Sequence, residues 1–180
     1  MSESDGRQSW RPNKVTGGCV IDVESKETVT RGLAMPHSPR GSAERLWVFN
    51  SGLGNISNVE PASGKVVAVE QLPGYTRGLA FHWPLAFVGM SRIRETSTFG
   101  GIPIAEKSGD LRCGVAVIDM QRGKAVAYIE FKTGVEEIFA VEVIPRALPL
   151  RVRTESNGGF FSGLRSSTHC EGRHGAPKGF

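Results

Sequence analysis

Pro36-His37-Ser38-Pro39-Arg40, Leu46-Trp47-Val48-Phe49-Asn50, Ile56-Ser57-Asn58-Val59-Glu60 and Val66-Val67-Ala68-Val69 follow one another in a single stretch, and Thr76-Arg77-Gly78-Leu79-Ala80-Phe81 restarts the pattern. The segments are short, rich in β-branched and aromatic residues, and separated by Gly, Pro, Asn and Ser. Such runs read as strands joined by tight turns. Four of them in succession predict one up-and-down, four-stranded antiparallel sheet, and the restart at Thr76 predicts that the sheet is a repeating unit.

The rest of the chain can be laid out from that unit. Upstream, Gly17–Asp22 and Thr28–Leu33 read as the last hairpin of a unit that lacks its first half. Within the full unit, turns are expected at Gly41-Ser42, Gly52-Leu53-Gly54-Asn55 and Pro61-Ala62-Ser63-Gly64. Downstream, a second unit comprises Thr76–Phe81, Leu85–Gly89, Gly114–Asp119 and Ala125–Ile129, with a long excursion from Arg92 to Arg112. Ile138–Ile144 would open a third unit.

Register supports the repeat. Each third strand ends in an acidic residue, followed by a turn and a lysine: Asp22 with Lys26, Glu60 with Gly64-Lys65, Asp119 with Gly123-Lys124. With the excursion set aside, the spacing is about 40 residues, the period of a propeller blade. The pentapeptide Thr30–Ala34 recurs verbatim as Thr76–Ala80, 46 residues later, but that offset would set a fourth strand against a first. We therefore take 40 as the structural period. The expected fold is all-β: a partial β-propeller of four-stranded antiparallel blades, two complete and two partial. It occupies residues 15–145, between a polar lead (1–14) and a basic, disordered tail (146–180).

Composition narrows the function classes. Apolar content of 39% and charged content of 22% suit an ordinary globular domain. No run of about 18 apolar residues is present, so no membrane-spanning helix is expected. The polar N-terminus shows no apolar secretory core, which makes a cytoplasmic location the expectation. The net charge of +4 falls entirely in the segment after Pro145, where six Lys and Arg residues face two Glu. A nucleic-acid surface on the folded body is therefore not expected. Cys19, Cys113 and Cys170 are widely spaced and odd in number, which argues against a zinc site or a disulfide framework. Cys19 and Cys113 read as small apolar residues at strand starts.

Several segments together carry a resemblance: Gly17–Asp22, Met35–Arg40, Leu46-Trp47-Val48 with Asn50-Ser51-Gly52, and Leu72–Phe81. Val88–Ser91 with Arg94-Glu95, Phe99–Pro103 and Glu137–Val141 belong to the same set. In that order they resemble a family of bacterial conserved hypothetical proteins with a propeller-like domain of unknown function. The match runs from about Trp10 to Pro145. The resemblance implies a further strand before the start of this chain, and nothing in it corresponds to Arg151–Phe180. A truncated or frame-shifted member is expected on both counts. No activity is implied.

In a propeller, the first strand of each blade lines the central channel. The 40-residue register aligns His37 with Arg77 and brings Glu136 or Glu137 to the same place in the third unit. His37, Arg77 and Glu137 are therefore the candidate channel cluster. Those residue types can bind an anion, hold a metal or move a proton, and they can equally satisfy one another as a buried polar plug. The Arg92–Arg112 loop is the second candidate, because connections this long are often lids or binding loops. Arg92, Arg94 and Glu95 sit where it leaves its strand, and Phe99–Pro103 could cross a channel mouth or pack as a surface flap. Ser38 beside His37 is not expected to form a nucleophile pair, since adjacent strand residues face opposite sides. His169, Cys170 and His174 have ligand chemistry without fixed geometry. Trp47 and Trp83 are expected to pack between blades.

Two readings follow. The first is a binding or scaffold module with a small-ligand or protein partner at the channel. The second is a metal-dependent hydrolase of the lactonase type, to which only His37, Asn50, Asn55 and Glu137 could contribute ligands. No cofactor is named by any motif. Open strand edges at both ends predict that missing blades or self-association cover them, and that the chain alone is marginal or oligomeric.

Overall fold

The computed structural model describes Gly6, residues 8–92 and residues 100–144. Up to Val143 these residues form one compact unit. It is all-β apart from a short 3-10 segment, with ten strands. These are β1 (Gly18–Ile21), β2 (Thr28–Leu33), β3 (Pro36–Ser42), β4 (Arg45–Asn50), β5 (Asn55–Val59), β6 (Val66–Gln71), β7 (Tyr75–His82), β8 (Leu85–Ser91), β9 (Gly114–Asp119) and β10 (Lys124–Glu130). The strands fall into a β1-β2 hairpin and two four-stranded antiparallel sheets, ordered β3-β4-β5-β6 and β7-β8-β9-β10. Both sheets are simple meanders, the four-stranded unit read from the sequence.

Alternation along β4 explains the stacking. Successive side chains leave opposite faces of a strand. Leu46 and Val48 join Val20, Leu33 and Val59 against the hairpin. Trp47 and Phe49 join Ile56, Leu79, Ala86, Val88, Ala116 and Ile118 against the following sheet. The middle sheet is thus buried on both faces. The Trp47 and Phe81 rings meet across the second interface, 6.1 Å apart.

The repeat is visible in backbone detail. β3 and β7 each carry a bulge, between His37 and Arg40 and between Thr76 and Leu79. At the equivalent bulge positions Ser38 (φ 51°) and Gly78 (φ 81°), 40 residues apart, the chain is left-handed. The third-to-fourth strand turns also match. Lys26, Gly64 and Gly123 each lie four residues after the acidic residue and share φ near 65° (62°, 68° and 66°). Between neighbouring sheets, the Gly64 turn abuts Val29, and the Gly123 turn abuts Val69.

Three expectations need correction, and the repeated pentapeptide adds a finding. The β3–β4 turn lies at Ala43-Glu44, not Gly41-Ser42. Both turn residues are left-handed (φ 49° and 57°), as a two-residue hairpin turn requires, and Ala-Glu carries no composition signal for it. Trp83 is 51% exposed in the β7–β8 turn and packs between no sheets. Ile138–Ile144 forms no strand among the described residues. Gly78 and Gly89 nevertheless lie directly beneath Ala140 and Val141, so this extended segment occupies the place of a next first strand. The repeated pentapeptide is not structurally idle: Gly32 and Gly78 both adopt φ 81° in bulged strands, although one strand ends a sheet and the other begins one.

Cys19 and Cys113 are buried, 3% and 0% exposed. No helix among the described residues is long and apolar enough to cross a membrane.

Candidate functional site

The site begins with two serines. Ser51 follows β4 and Ser91 ends β8, 40 residues apart, and both are buried. Ser51 Oγ donates to the Thr76 carbonyl of the next first strand at 2.7 Å. Ser91 Oγ accepts from the Ile138 N–H at 2.8 Å and lies 3.3 Å from the Ile138 carbonyl. Each serine therefore grips the backbone of the segment that follows in the stack. The bulges add a second link, since Ser38 Oγ accepts from the Gly78 N–H at 3.1 Å. Ser38 is thereby committed to the next strand and does not pair with His37.

These clasps set the register of the cluster. His37 and Arg77 are equivalent, as the 40-residue period requires. If Ile138 takes the place of Thr76, then Phe139, not Glu137, takes the place of Arg77. Glu137 corresponds to Tyr75. The offset of two arises because the third segment follows β10 by an irregular connection whose length the sequence does not calibrate. Phe139 lies under the Arg77 guanidinium, 4.5 Å from the ring centroid.

The residue that joins the cluster is Tyr75, which sequence reasoning missed. Its hydroxyl is 3.3 Å from His37 Nδ1, and the two rings meet edge to face at 5.5 Å. Tyr75 also lines an open cleft with Arg77, Ser91, Arg92, Glu137, Ile138 and Phe139. His37 is thus joined to Tyr75, and Arg77, Arg92 and Glu137 line the same cleft as Tyr75. A signal was available: Tyr75 sits one strand position before the expected Thr76 start, and strands often extend past their apolar core.

The hydrogen bonds assign the His37 tautomer. Nδ1 lies 2.9 Å from the Met35 carbonyl, which can only accept, so Nδ1 carries the proton. Ser51 Oγ, 3.2 Å from the same nitrogen, already spends its own proton on Thr76, which is consistent with that assignment. Nε2 is left as the lone-pair nitrogen. Burial lowers the His37 pKa, the Met35 carbonyl pulls it up, and the Arg77 charge lowers it further, so the ring is held neutral. Burial pushes the Tyr75 phenol well above its ordinary range, and nearby Arg77 only partly offsets this. The site therefore offers a neutral imidazole, a phenol and two guanidinium groups.

The long loop divides into two parts. Residues 93–99, including Arg94 and Glu95, lie outside the described residues. From Gly100 onward it is a packed cover rather than a flap. Ile102, Ile104 and Leu111 are buried against Tyr75, with Pro103–Asp110 in short 3-10 turns. The Ile104 N–H bonds the Gly52 carbonyl at 2.9 Å, and the Arg112 N–H bonds Pro73 at 2.8 Å. Arg92 is fixed at the loop base: its N–H bonds the Glu136 carbonyl at 2.8 Å, and its Nε donates to the Leu111 carbonyl at 3.3 Å.

The donor set for a metal does not assemble. Asn50 Oδ1 accepts from the Ala34 N–H at 2.7 Å, and Asn55 Oδ1 accepts from Ser57 Oγ at 2.9 Å. Both are structural ties remote in role from His37 and Glu137. Among the described residues no group of three or more His, Cys, Asp or Glu side chains is placed to share an ion. His169, Cys170 and His174 lie outside the described residues.

Comparison with curated proteins found none that matches. The stacked sheets and the clasped first strands span the same region as a family model, the domain of unknown function DUF4915, which matches residues 1–150. That is more than half of the 180 residues, and the chain belongs to the DUF4915 family.

Proposed function

We propose that this domain is a propeller-type binding module whose ligand site is the cluster around Tyr75. The carrying observation is convergence. Segments beginning three consecutive sheet positions (β3, β7 and residues 136–142) deliver His37, Tyr75, Arg77, Glu137 and Phe139 to one place, and Arg92 joins them from the loop base. A plug that merely filled a channel would pair its charges. Here the ion pairs among the described residues lie elsewhere, at Arg40–Glu142, Arg122–Asp119, Lys124–Glu70 and Lys132–Glu130. Neither Arg77 nor Arg92 takes part in one of them. A few convergent polar groups are what orients a bound ligand.

The test is a thermal-shift screen of small charged and neutral solutes on the full chain and on Arg77→Gln. A ligand that binds only the folded state raises its stability in proportion to occupancy. At least one solute class should stabilise the wild type and lose that effect in the variant. Equal responses from both proteins across the whole panel would refute the reading.

A further inference from the structure

The cleft's charge identifies the class of ligand, an inference that rests on the binding-module reading above. Arg77 and Arg92 line the same cleft, one from β7 and one from the start of the long loop. Two guanidinium groups in one small site repel each other unless an anion separates them. Two of the nearby carboxylates, Glu130 and Glu137, do not serve that purpose. Glu130 is influenced by Arg92, but its carboxylate is bonded to Lys132 at 2.8 Å. Glu137 lines the cleft, yet it is exposed and forms no ion pair with either arginine.

Each arginine is also oriented rather than loose. Arg77 is steered by the Phe139 ring beneath it. Arg92 is anchored through Nε to the Leu111 carbonyl, and among the described residues its two terminal amino groups have no hydrogen-bond partner. Guanidinium forks suit planar carboxylates, which they can engage through paired N–H bonds. Among the side chains that line the cleft, Arg77 and Arg92 against Glu137 leave a net of one positive charge. A monoanion balances that, whereas a doubly charged phosphate would be repelled by Glu137. Ile138 and the exposed Phe139 ring supply an apolar wall beside the charged end.

We propose that the cleft binds a small monocarboxylate with a short apolar tail, its carboxylate held between Arg77 and Arg92 and its tail against Ile138 and Phe139. Tyr75 lines the same cleft, and its hydroxyl lies 3.3 Å from His37 Nδ1.

The experiment is an amide chemical-shift titration of the full-length chain at fixed ionic strength. The probes are butyrate, inorganic phosphate, butyramide and butylamine, applied to the wild type, Arg77→Gln and Arg92→Gln. Butyrate should perturb the Arg77, Ser91 and Phe139 amides, bind more tightly than phosphate, and lose roughly tenfold to hundredfold in affinity in either variant, the value of a charge-assisted hydrogen bond. Unliganded spectra of the two variants should overlay the wild type away from the cleft. If one variant unfolds, the other decides. Tighter binding of phosphate, or equal binding of butyramide or butylamine at these amides, would overturn the monocarboxylate assignment and leave the binding-module reading standing. Absence of any perturbation at these amides with all four probes would overturn both.

Discussion

Ser51 and Ser91, separated by 40 residues, make the same contact one sheet apart: each buried hydroxyl clasps the backbone of the first-strand segment that follows, at Thr76 and at Ile138. The second clasp operates even though Ile138 belongs to no strand. The hydroxyl acts together with the Arg92 N–H on the Glu136 carbonyl and the close approaches at Gly78 and Gly89 to hold the segment carrying Glu137 and Phe139. Removing the hydroxyl leaves the Ile138 N–H without its partner. Ser91→Ala should cost about 1–3 kcal/mol and should speed amide hydrogen exchange in residues 136–142 more than in β8. Uniform or unchanged exchange there would show that the segment is held by other contacts.

Trp47 and Trp83, which sequence reasoning grouped together, should behave differently. Trp47 is 2% exposed in the main core, so Trp47→Ala should lose about 3–5 kcal/mol. Trp83 lies half exposed in a turn, and Trp83→Ala should stay within roughly 0.5 kcal/mol of the wild type. Denaturant melts of the two variants, compared at equal slope, decide the matter. Similar losses at both positions would contradict the assignment of Trp83 to the surface.

The neutral His37 ring ties stability to pH in a definite direction. Its folded pKa lies below the ordinary 6.5, through burial first and the Arg77 charge second. The unfolded chain therefore takes up a proton on this ring more readily than the folded chain does. Stability associated with the ring is fully present above pH 6.5 and falls as pH drops from there toward the lowered folded value. His37→Gln should flatten the stability profile in that interval while leaving the acid limb intact. Asp22 and Glu130, whose pKa values are lowered by hydrogen bonding, act only at lower pH. A slope unchanged by His37→Gln would contradict a neutral, enclosed imidazole.

The last sheet presents Phe87, Val117 and Ala127 side by side on the face away from the core. Trp47, the counterpart of Phe87, is covered on that face by the next sheet. Either missing blades or a second copy of this chain, stacking in the same sense, would cover it, and sedimentation tests the second copy. Sedimentation should show concentration-dependent association that Val117→Glu suppresses. A monomer at all concentrations would contradict it.

The sheets were legible because their signal is redundant. Strand alternation, turn glycines and the acidic residue closing each third strand all point to the same period, so an error in one is corrected by the others. The cluster was only half legible. His37 and Arg77 follow from the period, whereas Tyr75 lies outside the apolar run and acquires its place from the loop that packs beneath it. Ile102, Ile104 and Leu111 carry no signal of that contact, because the sequence gives their hydrophobicity but not their partner. The register of the third segment was not legible for a related reason: it follows β10 by an irregular connection through Gly134 (φ 79°), whose length the repeat does not fix. The Ala43-Glu44 turn shows the limit of composition, since residues that rarely take left-handed conformations do so when two paired strands leave them no other path.

The most direct measurement is the nitrogen-resolved NMR spectrum of the His37 ring, together with ring-to-ring cross-peaks, in the full chain. Convergence of the first strands predicts a neutral ring protonated at Nδ1, with cross-peaks to the Tyr75 ring. A ring protonated at Nε2 instead, or one with no contact to Tyr75, would contradict the account at its centre.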